Sequence, residues 1–68
     1  MANKILGLSS LIHGQFNSQA DFARRIGWSK QKVNKIVNGH MKPSISDVQT
    51  IAEGLDVPVM MVMKFFLR

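Results

Sequence analysis

The chain contains no cysteine, so no disulfide framework can hold it together. Its two histidines, His13 and His40, are a poor basis for a metal site, and no metal or other cofactor is expected. No apolar run approaches the ~18 residues that span a bilayer, and the first residues lack a basic stretch followed by an apolar core and a cleavage site. A membrane role is therefore not expected, and a cytoplasmic protein is. Low-complexity tracts, repeats and linkers are missing too, so residues 1–68 read as a single domain. The most informative absence is local. No acid occurs between Asp21 and Asp47, a window that holds Arg24, Arg25, Lys30, Lys32, Lys35 and Lys42. A surface of one sign calls for an anionic partner, although a basic solvated face would account for this window alone about as well.

A composition that is 46% hydrophobic with a net charge of +5 is globular and basic rather than disordered. At this length only ~60% of the unfolded surface is buried on folding, so stability must come from packing or from a second copy. The spacing predicts five helices. Ile5, Leu8, Leu11 and Ile12 lie on one side of a first helix from about Asn3 to His13, ending near Gly14, with Phe16 in the connection. Ser18 caps a second, with Asp21 placed to bond back to the Ser18 N–H and Phe22 and Ile26 on the inner face; Gly27 ends it. Ser29 caps a third, whose Val33, Ile36 and Val37 form a narrow apolar stripe and whose stop is Gly39. Trp28 and Val33 are spaced to staple its start. Only three residues separate Ile26 from Lys30, and so short a turn makes the two helices cross steeply, as in a helix-turn-helix at about 18–38.

The fourth helix has Ser44 and Asp47 as cap and acid, and Ile45, Val48, Ile51, Ala52 and Leu55 as one apolar face. Asp56-Val57-Pro58 breaks it, with Gly54 in the last turn, where Gly costs ~1 kcal/mol relative to Ala. A last helix from about 58 to 66 turns Val59, Val62, Met63 and Phe66 inward. Met60, Met61, Phe65 and Leu67 are left over, and contiguous exposed apolar residues mark an interface, here a twofold dimer surface. On the third helix Gln31, Lys35 and Asn38 lie opposite the apolar stripe, flanked by Lys32 and Asn34. Amides that pair with adenine edges, together with lysines that donate to guanine or phosphate, suit reading of the major groove.

These residues also carry a resemblance. Ser-Gln-Ala-Asp-Phe-Ala at 18 to 23, Ile-Gly at 26 and 27, Ser-Lys-Gln-Lys-Val at 29 to 33, Ile36, Asn-Gly at 38 and 39, and Lys-Pro-Ser at 42 to 44 resemble the phage repressor and Cro type of helix-turn-helix, the xenobiotic-response-element regulators. The resemblance implies an all-α, five-helix lambda-repressor-like domain of a kind that binds double-stranded DNA as dimers or tandem units, and a homodimer is expected here. It assigns base contacts to Lys30, Gln31, Lys32 and Lys35. Backbone contacts fall to Gln19, Ser29, Asn38, His40 and Lys42, with Gln19 also bracing the third helix. Trp28 departs from the smaller apolar residue usual there, Asp56 from the Gly usual at the helix stop, so that Asp56 is expected to have positive φ, and Met60 and Met61 from the acids that relatives often carry.

The function expected is that of a small phage-like repressor, bacterial or phage-encoded, with no catalytic residues: Asp21, Asp47, Glu53 and Asp56 sit at caps or helix ends, away from any nucleophile. The alternative is an antitoxin that binds a toxin through the C-terminal helix and regulates its own synthesis. A membrane-surface role for Lys64 and Arg68 is weaker, because the main basic cluster lies elsewhere.

Overall fold

Five short apolar stripes converge on one core in the computed structural model, which describes residues 5–67. The helices are α1 (Leu6–Gln15), α2 (Gln19–Ile26), α3 (Lys30–Val37), α4 (Ile45–Leu55) and α5 (Val59–Phe66), and no strand occurs among the described residues. Both Asn3, the predicted start of the first helix, and Arg68 lie outside the described residues. α1 packs against all four other helices, while α2 pairs most closely with α3 and α4 with α5. Leu8 and Ile12 of α1, Phe22 of α2, Val33, Ile36 and Val37 of α3, Ile51 and Leu55 of α4 and Val62 of α5 are essentially inaccessible. The Phe16 ring meets Phe22 edge-on at 5.3 Å between centroids.

The ends of the helices follow from local chemistry. The hydroxyls of Ser18, Ser29 and Ser44 each accept a hydrogen bond from the backbone N–H three residues on. Three helices stop in the same way. Gly27, Gly39 and Asp56 have φ of 77°, 77° and 56°, and the next N–H in each case returns to the carbonyl five residues back: Trp28 to Ala23, His40 to Lys35 and Val57 to Ala52. The positive φ expected of Asp56 is thus observed.

Several details differ from the sequence reading. α1 continues past Gly14 to Gln15, whose side-chain amide donates to the Leu55 carbonyl at 2.8 Å. That bond serves one of the acceptors left open at the end of α4. Asp21 does not close a capping box. Its carboxylate pairs with Arg24 one turn on, and the complete box belongs to Ser44 and Asp47. Ile45 is 74% exposed rather than part of the α4 core face, because it lies in the first turn, beyond the end of the core.

Two glycines mark where helices meet. A Cβ on Gly54 would stand 3.1 Å from Phe22 Cε1 and well inside van der Waals contact with Ile26 Cγ2, so its absence lets α2 lie against α4. A Cβ on Gly7 would stand 2.5 Å from the Phe65 ring, which closes α5 onto α1. Phe65 is consequently half-buried and packed on the core within its own chain, which corrects the premise that it is left over.

Opposite outcomes are expected at two positions around the end of α4. Gly54→Ala gains helix propensity but overpacks the contact with Ile26 and Phe22, and should destabilise by about 1–2 kcal/mol. Asp56→Gly relieves a left-handed residue against a smaller gain in chain entropy, and should raise the melting temperature by roughly 2–4 °C. Thermal melts followed by circular dichroism check both, and a Gly54→Ala variant that melts higher would contradict the close approach.

Candidate nucleic-acid interface

α3 presents two faces because its stripe is narrow. Val33, Ile36 and Val37 are buried, whereas Lys30, Gln31, Asn34 and Lys35 are exposed. Ser29, His40 and Lys42 are exposed on the flanking turns, and Gln19 and Asn38 are half-buried. Ser29 accepts from the Lys32 N–H at 3.2 Å while its own hydroxyl proton remains available to a phosphate. The start of α3 carries no acid, so its unpaired N–H groups add partial positive charge to that of Lys30.

The α2 side of this face is held by amides. Asn38 Nδ2 donates to Asn34 Oδ1 at 3.1 Å, and Asn34 Nδ2 donates to Gln19 Oε1 at 3.3 Å. Gln19 is thereby linked to α3 through Asn34. Asn34 is the junction that the sequence reading left off the contact set, although its spacing of four from Asn38 on an exposed face was a usable signal. Each amide keeps a free donor or acceptor toward solvent.

The opposite edge of α3 is held by charge. Lys32 Nζ lies 4.0 Å from the centre of the Trp28 ring and 3.2 Å from Asp47 Oδ1. Asp47 Oδ2 accepts from the Ser44 N–H at 3.1 Å. The Ser44 amide above all holds the Asp47 carboxyl below the usual aspartate value; burial opposes it, and the Lys32 ammonium and the Ser44 hydroxyl add to the lowering. The Lys32 ammonium, expected at a base edge, is thus engaged within the chain. Trp28 is half-buried, one part packed on the core and one face under the ammonium.

A second surface lies on α4 and α5. Met60, Met61 and Leu67 are 65%, 42% and 68% exposed, and Leu67 and Ile45 line a groove of ≈180 Å³ with Pro43, Val48, Val59, Met63 and Phe66, which Met60 and Met61 do not line. Of the four residues expected there, Phe65 alone is turned toward α1. Among the described residues, no three His, Cys, Asp or Glu side chains are grouped to hold a metal ion, and no helix is long and apolar enough to cross a membrane.

Comparison with known proteins adds one match. A family model described as helix-turn-helix fits residues 17–60, which include α2, α3, α4 and the first two residues of α5. No curated protein and no solved structure matches the chain.

Because the folded state holds the Asp47 carboxyl below its unfolded value, the stability it contributes is complete above the ordinary aspartate range and is lost as pH falls through the lower, folded-state value. Asp47→Asn should therefore cost roughly 0.5–1 kcal/mol at neutral pH and progressively less in acid. Paired melts across that range check the convergence, and a deficit that persisted below the carboxylate range would assign it to packing instead.

Proposed function

The chain belongs to the phage repressor and Cro type of helix-turn-helix, the xenobiotic-response-element family of DNA-binding transcription regulators, and from that premise we propose that it is a sequence-specific repressor that reads the major groove as a homodimer. The observation that carries this reading is the exposed, acid-free face of α3, on which Lys30, Gln31 and Lys35 stand clear of any intramolecular partner among the described residues. Gln31 pairs with adenine and Lys30 and Lys35 with guanine or phosphate, with Asn34 at the edge of the same face. Gln19, Ser29, Asn38, His40 and Lys42 surround it at the places where phosphates flank a groove-bound helix, and they set register without reading sequence. Binding across a promoter then blocks transcription by occupancy.

Size supports a dimer. The described residues span 27 × 25 × 21 Å, whereas successive major grooves on one side of DNA are ~34 Å apart, so two readings require two copies. The exposed apolar residues Met60, Met61, Leu67 and Ile45 are the surface proposed to join them. A toxin held on the same surface is the competing occupant.

Selection from a random duplex library at two salt concentrations should enrich a palindrome with half-sites about one turn apart; weak, unselective binding would favour the protein-partner reading. Gln31→Ala and Lys35→Ala should relax sequence preference, whereas Lys42→Ala should weaken all sequences alike. The reverse pattern would exchange the two sets of roles. For assembly, Met60→Glu with Met61→Glu is a better probe than Phe65→Glu, which would also disturb the packing on Gly7. Sedimentation should show a monomer, and a variant that remained dimeric would remove this surface.

A further inference from the structure

We infer that Lys32 is a positioning residue for the reading face and does not itself touch DNA: it clamps the first turn of α3 between the Trp28 ring and the Asp47 carboxylate. The inference rests on the DNA-binding reading above and concerns a residue whose sequence position assigns it the opposite role. Its side chain is about two-thirds shielded and that of Asp47 is 19% exposed, and its ammonium touches both the Trp28 ring and a carboxylate oxygen. Exchanging both for a phosphate would uncover the indole and leave Asp47 a bare negative charge beside the DNA.

The clamp also spans a gap. Among the described residues no Cα of α3 comes within 8 Å of a Cα of α4, so at this edge the two helices are joined by side chains rather than by close backbone packing. The Asp47 carboxylate uses one oxygen for Lys32 and the other for the Ser44 N–H. Lys32 thereby ties the start of α3 to the end of the turn that carries His40 and Lys42. Residues proposed to read bases and residues proposed to hold phosphates are fixed to one another through a single carboxylate. The amide chain from Gln19 does the same at the other edge. Lys30, Lys35 and Lys42 have no acid partner among the described residues, which separates them from Lys32.

The test uses two readouts on the full chain. Trp28 is the sole tryptophan, so its emission in the free protein reports on the clamp. Lys32→Met and Asp47→Asn should each shift that emission, the double variant should shift it no further than Lys32→Met alone, and Lys32→Arg should restore the wild-type spectrum. An unchanged spectrum in Lys32→Met would overturn the clamp, whatever the protein binds. The second readout is the salt dependence of binding to a mixed-sequence 20-base-pair duplex. The double variant Lys32→Met with Asp47→Asn keeps the net charge, and its log–log slope should equal that of wild type, whereas Lys42→Ala should reduce the slope by about 0.9. A reduction of about 0.9 in the double variant would make Lys32 a phosphate contact and overturn the proposal. Relative affinity for the library-selected duplex over the mixed one should fall about fivefold in the double variant, and an unchanged ratio would remove the positioning role. A wild type with no salt-dependent binding would overturn the DNA reading and the positioning role together, while the emission data would still decide the clamp. Helicity by circular dichroism separates these outcomes from unfolding.

Discussion

None of these helices is long enough to hold itself. At eight to eleven residues each falls short of the ~12–15 at which an isolated helix becomes even marginal in water. Every turn of backbone is therefore conditional on burial of its stripe in the shared core. This constraint explains the density of end chemistry. Serine caps at three starts and left-handed residues at three stops satisfy the backbone groups that a short helix leaves open in large proportion. It also explains why α1, with no side-chain cap and a glycine at its second position, survives. It touches all four other helices, and the Ile5 N–H in front of it bonds to the Val37 carbonyl at 2.6 Å.

What was legible in the sequence was what neighbouring residues decide. Caps and stops lie within three or five residues of the groups they satisfy, and the buried sides of α2, α3 and α5 follow from period alone, so Ser44, Asp56 and the inward stripe of α5 could be read directly. What was not legible depends on which helices meet. Gly54 and Gly7 look like flaws in a helix until Ile26 and Phe65 are brought against them. The bond from Gln15 to Leu55 joins residues 40 apart. Ile45 keeps the phase of the core face but lies past the end of the core, a matter of depth that periodicity does not carry.

The site divides along the same line. Gln31 and Lys35 lie opposite the buried stripe, so their exposure follows from geometry within one helix. Lys32 and Asn34 lie at the two edges, where phase is neutral and the neighbouring helix decides: α4 offers a carboxylate to one and α2 an amide to the other. Resemblance placed Lys32 among the readers because position in a motif carries no information about Asp47, 15 residues away. The missing acids between Asp21 and Asp47 remain the strongest signal, since Asp47 itself, the acid that closes the window, neutralises the one α3 cation that it reaches.

The two faces of α3 bear on how such a domain can diverge. Val33, Ile36 and Val37 answer to the core, and Lys32 to Trp28 and Asp47, whereas Lys30, Gln31 and Lys35 have no structural obligation among the described residues. These three positions form a replaceable set. Under the proposed base-reading role, a lineage could rewrite them one at a time and change its target without crossing an unstable intermediate, whereas the residues between them would keep the helix in place through every such exchange.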